Sequence, residues 1–194
     1  VTLDIPTHIT QERAYNTVMG EELGWGACRT LLRSARDAGF IQSVTPSVYQ
    51  IHPTLPWFYG RQINQQLSPA AIRQLEQEFV RVYADTADYF METLYENQES
   101  GTMAVLAEEA NLTQALGLAL EDHQWDAAQV LVQPLAQVYR MQKRYPELRR
   151  LRRQLLQGIV PEGNGATEAD SKGAIDLWLY LLGTESSEAT EQLN

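Results

Sequence analysis

The densest group of side chains that could bind a ligand is a basic run between positions 139 and 153. Guanidinium and ammonium groups bind phosphates and carboxylates, so such a run can hold a nucleic acid or an acidic protein surface. A charge run is also typical of the solvated face of a helix. A single acid, Glu147, interrupts it. The candidate partner-binding residues in this run are Arg140, Lys143, Arg144, Arg149, Arg150, Arg152 and Arg153.

The overall charge favours the protein partner over the nucleic acid. The chain has a formal net charge of −10, and nucleic-acid binding depends on neutralising phosphates with clustered Lys and Arg. The helix that would enter a DNA groove carries Arg29, Arg33 and Arg36, with Asp37 beside them. That is too little positive charge for a groove-reading helix, so we expect the basic run to meet an acidic protein surface.

Other reactive residue types are sparse. His52 follows a β-prone run, where a histidine could contact a nucleotide phosphate, although a structural, hydrogen-bonded role beside Pro53 is the simpler interpretation. The single cysteine, Cys28, lies on an apolar helix face and is predicted to be a core residue. One cysteine and three histidines are too few for an evident zinc site.

The sequence contains no phosphate-binding loop. Such a loop needs glycines that expose backbone N–H groups, a lysine for the terminal phosphates and a hydroxyl for Mg²⁺, in a fixed order after a strand. Gly163 and Gly165 precede Ser171-Lys172 with the wrong spacing and without an apolar strand upstream. We therefore predict no cofactor, no metal and no catalytic residue, and expect that the chain is not an enzyme.

The first elements predict a small winged-helix unit. Cys28, Leu31, Leu32 and Ala35 recur at helical spacing, which predicts one buried stripe on a helix that ends at Gly39. Two β-prone runs, 40–44 and 48–52, flank a turn containing Pro46 and predict a hairpin or wing. A preceding helix from about Thr10 would complete the unit.

Helical hairpins should follow. Ser68-Pro69 predicts the start of a helix of about 25 residues or more, which residues 99–102 should interrupt. Apolar stripes then predict helices through Leu112 to Ala119, from Trp125 to Arg140 with a kink at Pro134, and from Tyr145 to about Gly158. The predicted fold class is mainly α, a winged-helix unit and the start of a tetratricopeptide-like superhelix.

Four segments follow from these patterns. We predict a winged-helix-like domain over 1–66, a helical hairpin array over 67–158, a flexible linker over 159–172 and the start of a further repeat over 173–194. The chain begins at Val1 without a leader and has no apolar run of about 20 residues. These features favour an internal piece of a cytoplasmic protein that does not insert into membranes.

Two blocks of the sequence resemble the STAND class of signalling ATPases, which includes NB-ARC proteins. The first is the order Leu31-Leu32, Ala38-Gly39-Phe40-Ile41 and Tyr49-Gln50-Ile51-His52-Pro53, ahead of Leu55-Pro56-Trp57-Phe58. It is similar to the winged helix that follows the nucleotide-binding domain in those proteins. The second block, Tyr83-Ala84 through Ala119-Leu120, is similar to the start of their helical arm. A strict 34-residue tetratricopeptide period is not visible.

The resemblance implies a non-catalytic protein-interaction and autoregulatory segment of a bacterial signalling ATPase. The winged helix would dock on a nucleotide-binding domain and the helical array would bind a partner. It also implies a nucleotide-state contact for His52, while Trp57, in an aromatic junction, is a further candidate partner-binding residue. The alternative is a nucleic-acid-binding winged-helix module that uses a basic helix.

Overall fold

The computed structural model of the chain describes residues 25–45, 48–52, 61 and 65–159. The predicted first helix from Thr10, the linker over 159–172 (residue 159 apart) and the further repeat over 173–194 lie outside these residues. The chain divides into two compact units, Val1–Val82 and Tyr83–Asn194. The described part is mainly helical with one small sheet, as predicted.

Helix α1 spans Trp25–Asp37 and ends as the sequence predicts. Gly39 adopts a left-handed conformation with φ of 76°, which a residue without a Cβ adopts at little cost. The Phe40 N–H donates to the Ala35 carbonyl at 2.8 Å, and the Gly39 N–H donates to the Arg36 carbonyl at 2.9 Å. These bonds satisfy carbonyls that the end of the helix would otherwise leave unpaired.

The predicted buried stripe on α1 is wrong, because none of its described side chains is fully buried. Leu31 is 59% exposed, whereas Leu32 and Ala35 are half-buried. Helical spacing identifies residues that share a face, but it does not show whether another element covers that face. The side chain of Cys28 lies outside the described residues.

A two-stranded antiparallel sheet confirms the predicted hairpin. Strand β1 spans Ile41–Thr45 and β2 spans Val48–Ile51, with Ile41 opposite Ile51 and an irregularity between Ser43 and Thr45. The His52 N–H donates to the Phe40 carbonyl at 3.0 Å and extends the ladder beyond the last pair.

Helix α2 spans Pro69–Glu96, and its 28 residues confirm the predicted long helix. The hydroxyl of Ser68 accepts a hydrogen bond from the Ala71 N–H at 3.2 Å, which is the expected role of a serine before a first-turn proline. The second half of α2 contributes Phe90 and Leu94 to the core of the second unit.

The interruption after α2 lies at Asn97, and the prediction of a break over residues 99–102 is wrong. Helix α3 spans Gln98–Ala107, and the Asn97 side chain caps it by accepting from the Ser100 N–H at 3.0 Å. Gly101 lies inside α3. A Cβ at this position would be 2.6 Å from the backbone of Leu94, so the residue must be a glycine. This glycine permits close packing of α3 on α2.

Three further helices build the main core. Helices α4, α5 and α6 span Glu109–Glu121, Trp125–Met141 and Tyr145–Ile159. Helix α4 packs along α5, α6 packs against both of them, and α3 also packs against α4 and α5. Trp125 is buried, as predicted, and so is Pro134 inside α5. The largest fully buried side chains include Leu112, Leu116, Leu131, Leu135 and Leu155.

The two tight turns of this core repeat one geometry 20 residues apart. His123 and Lys143 have positive φ values of 56° and 55°. In each turn the following residue donates its N–H to a carbonyl five residues earlier, from Gln124 to Ala119 and from Arg144 to Tyr139, both at 2.8 Å. The pattern is that of the α1 ending, with a side chain in place of glycine.

Candidate protein-interaction surface

A buried acid joins the start of the array to α4. Glu108 is buried between α3 and α4, and its Oε2 accepts hydrogen bonds from the Tyr83 hydroxyl at 2.9 Å and the Asn111 amide at 2.6 Å. A buried carboxylate needs such donors, since the transfer of an unpaired charge from water is costly. Tyr83 comes from α2, so this cluster ties α2 to the first turn of α4.

The next residue, Glu109, links α4 to the end of α5 and to the turn before α6. Its Oε1 accepts from the Tyr139 hydroxyl at 2.8 Å, and Arg144 donates to both of its oxygens at 3.0 Å. Arg144 also donates through Nε to Glu147 at 3.1 Å and lies 4.8 Å from the centre of the Tyr139 ring. One guanidinium therefore connects α4, the end of α5 and the first turn of α6.

These contacts change the acidity of the groups involved. Partial burial of Glu109 opposes its ionisation, but the hydrogen bonds from Arg144 and Tyr139 outweigh this and lower the pKa of the carboxyl below its ordinary value. Burial, together with hydrogen bonding to a carboxylate, raises the pKa of the Tyr139 and Tyr83 hydroxyls. Both tyrosines consequently remain protonated donors at neutral pH.

The predicted basic run divides into internal and exposed members. Arg144 is occupied by Glu109 and Glu147. Arg140 and Arg152 are half-buried, and Nε and Nη2 of Arg140 have no hydrogen-bond acceptor among the described residues. Lys143 is exposed at the turn before α6. The remaining three arginines are exposed on α6.

The exposed positions of α6 form one continuous strip, which we call the basic face. Its members recur every three or four residues and therefore lie on one side of the helix. Arg149, Arg150 and Arg153 form no ion pair with any described residue. Leu156 near its end is 38% exposed, unlike the buried leucines on the opposite side. The full strip is Pro146, Arg149, Arg150, Arg153, Leu156 and Gln157.

An open groove of about 650 Å³ runs beside α4. Its walls come from the end of α3, the outer side of α4 and Gln154 of α6. Apolar side chains such as Leu106 and Leu118 alternate there with polar ones such as Gln114 and Glu121. A shallow groove of mixed polarity suits an extended or helical protein segment better than an enclosed small molecule.

Of the other predicted site residues, one belongs to the first unit and one lies outside the described residues. His52 follows β2 in the first unit and is exposed. Trp57 lies outside the described residues, so its role as a partner-binding residue remains a prediction. Within the described ranges, no group of three or more His, Cys, Asp or Glu residues could hold a metal ion. In the same ranges, no helix has the length and apolarity needed to cross a bilayer.

Comparisons of the chain with protein-family models, curated proteins and solved structures gave no match. The functional argument therefore depends on the geometry of the described residues and on the order of the sequence blocks.

Sequence reasoning missed the two clusters around Glu108 and Glu109. In the sequence Tyr83 belongs to the block that resembles a helical arm and Tyr139 begins the basic run, and their carboxylate partners are 25 and 30 residues away along the chain. The one available signal was the pair of adjacent acids just before the Leu112 stripe. Acids are favourable at a helix N-terminus, so this position alone did not distinguish a cap from a network.

Proposed function

We propose that this chain is a non-catalytic protein-interaction and autoregulatory segment of a cytoplasmic signalling ATPase of the STAND class. In this proposal the α1–β1–β2 region belongs to a winged helix that docks on a nucleotide-binding domain. Helices α2–α6 are the start of a tetratricopeptide-like array that binds a partner protein. The order of the sequence blocks supports the family, and the packing of α6 on both α4 and α5 supports a stacked array.

One observation carries the partner-binding part of the proposal: the basic face of α6 is exposed, and its three arginines form no ion pair with the part of the chain that the structure describes. Arg144 lies five residues before Arg149, the first charged residue of the strip, and its ion pairs with Glu109 and Glu147 show how the fold neutralises an arginine that contributes to stability. The strip also contains an exposed leucine near its end, and surfaces that combine apolar groups with arginines are typical of protein interfaces. Its partner should present carboxylates.

The alternative, nucleic-acid recognition, uses the same arginines. Phosphate contacts require many clustered cations, and binding to duplex DNA then falls steeply with salt. The second possible DNA-binding element, α1, has Arg36 paired with Asp37 at 3.1 Å, which reduces its positive charge further. These features favour an acidic protein surface over DNA.

Fluorescence anisotropy with two probes tests the proposal. The probes are a labelled helical peptide with glutamates every three or four residues and a labelled DNA duplex. We expect the peptide to bind at least about tenfold more weakly to an Arg149→Glu, Arg153→Glu variant, as exposed interfacial charges are reversed. A control variant with the same charge change on α1, Arg33→Glu and Arg36→Glu, should bind the peptide like the wild type.

DNA should bind no more tightly than the range of about 10⁻⁴ to 10⁻⁶ M of non-specific association at physiological salt. Nanomolar, salt-sensitive DNA binding that the α6 variant loses while it keeps its helical circular dichroism would overturn the proposal and establish the alternative. Equal peptide binding by the two variants would also contradict it.

A further inference from the structure

The second half of α2 carries an exposed strip with the same spacing as the basic face but the opposite charge. We call it the acidic face. Asp88, Glu92 and Glu96 form no ion pair with any described residue, and Tyr95 is 81% exposed. No basic residue occurs between positions 82 and 96. The full strip is Asp85, Asp88, Tyr89, Glu92, Tyr95 and Glu96.

The two strips match in length as well as in charge. Each contains an exposed residue at offsets of three, four, seven, ten and eleven from its first member, so each follows one side of its helix for three turns. At a rise of about 1.5 Å per residue, both are about 16 Å long. Each also presents an exposed apolar or aromatic group at the tenth offset, Tyr95 on one and Leu156 on the other.

We propose that the acidic surface recognised by the basic face is the acidic face of a second copy of this chain. This inference names the partner class of the proposed function and rests on its assignment of the basic face. Neither the arginines of the basic face nor Asp88, Glu92 and Glu96 of the acidic face are neutralised by an ion pair with a described residue of their own chain. A second copy offers each face a strip of equal length and opposite sign.

The contact is between different surfaces of two copies. Such a heterologous contact repeats from copy to copy and produces chains or closed rings larger than dimers. Exposed ion pairs contribute little individually, so the contact is weak and depends on ionic strength. Tyr95 and Leu156 add apolar area at the same end of each strip, where a tyrosine is a favoured interface residue.

Sedimentation velocity of the whole chain tests this inference with two variants. One reverses the basic face, Arg149→Glu with Arg153→Glu, and the other reverses the acidic face, Glu92→Lys with Glu96→Lys. We expect the average mass of the wild type to rise with concentration at low salt and to fall in high salt. Each variant alone should associate at least about tenfold more weakly.

An equal mixture of the two variants should associate like the wild type. In the mixture each reversed face meets the complementary reversed face, and the unaltered faces also match. A variant with the same charge change elsewhere, Asp122→Lys with Asp126→Lys around the turn between α4 and α5, should associate like the wild type. Circular dichroism of every variant verifies that the helices are intact.

A wild type that stays monomeric at low salt, or a mixture that does not recover association, would overturn the second-copy inference. The failure of the proposed function is distinguishable, because it appears in the peptide assay. Loss of peptide binding in the basic-face variant, combined with a monomeric wild type, leaves an acidic protein other than this chain as the partner. Association that the basic-face variant retains would also contradict the inference.

Discussion

Helix α1 and the β1–β2 hairpin differ from the α2–α6 array in how their local structure is fixed. Both regions use the same helix ending, with a left-handed residue and the same backbone bonds. Between Gly26 and His52, however, no described side chain is fully buried, and Leu31, Phe40 and Ile51 are exposed. The array instead adds a close-packed leucine core and two carboxylate networks. Local sequence signals determine where helices and strands begin and end in both regions. Tight packing determines the positions of side chains mainly in the array.

The two regions should therefore respond differently to one added methyl group. Gly101→Ala places a Cβ 2.6 Å from the Leu94 backbone, so α3 must move away from α2. We expect this overpacking to lower the free energy of unfolding by about 1–3 kcal/mol. Urea denaturation followed by circular dichroism measures the change.

Gly26→Ala is the matched control, because nothing lies within 4 Å of the added Cβ on α1. It should leave stability unchanged or raise it by up to about 1 kcal/mol through higher helix propensity. Equal losses from the two substitutions would mean that the packing contrast between the regions is wrong.

The second test concerns charge. Glu109→Gln weakens a half-buried network, and we expect a loss of about 1–2 kcal/mol near neutral pH. Because the folded state lowers the pKa of Glu109, its contribution is present above its ordinary value of about 4.5 and disappears as the pH falls through the lowered value. The difference between wild type and variant should therefore shrink below about pH 4.5.

Asp37→Asn supplies the comparison from the first region. It removes the exposed pair with Arg36, so the change should be less than about 0.5 kcal/mol at any pH. Urea denaturation at a series of pH values from neutral to acid measures both variants. A Glu109→Gln difference that grows on acidification would contradict the direction assigned to this carboxyl.

The smallest effects should come from the shared helix ending. Lys143→Gly removes the left-handed strain of a residue with a Cβ, and we expect a gain of up to about 1 kcal/mol after the added freedom of the unfolded chain is subtracted. Gly39→Ala introduces the same strain in the first region and should cost about 1 kcal/mol. Thermal unfolding by circular dichroism compares the two.

Lys143 tests the backbone strain with fewer side effects than His123. The ring of His123 also contacts the ring of Trp125, with 5.3 Å between the ring centres. His123→Gly should consequently gain less than Lys143→Gly. A loss of stability in the Lys143→Gly variant would show that the two regions do not use this ending in the same way.

The features that the sequence predicted are those with a local cause. Gly39 predicts where α1 ends, and Ser68 with Pro69 predicts where α2 begins. The hairpin follows from two short β-prone runs around a turn. The predicted break was placed a few residues after the actual one at Asn97. The reason is that Gly101 suggests an interruption when only its conformational freedom is considered. Its actual role depends on Leu94, seven residues away and on another helix.

The candidate surface was predicted as a set of residue types but not as a geometry. Charge patterning found all seven basic residues of the run, yet it could not separate Arg144, which binds Glu109 across 35 residues, from Arg149 and Arg153 on the outside. That separation depends on helix packing. The acidic face went unnoticed because dispersed acids on a long helix are ordinary in a chain of this charge.

Glu108 and Glu109 are adjacent in the chain but bind different elements, the first Tyr83 of α2 and the second Tyr139 and Arg144. A force that pulls Tyr83 therefore reaches Arg144 through two carboxylates and a single peptide bond, whose planarity makes it a stiff link. The helix that bears the acidic face and the helix that bears the basic face are in this way mechanically coupled through the first turn of α4.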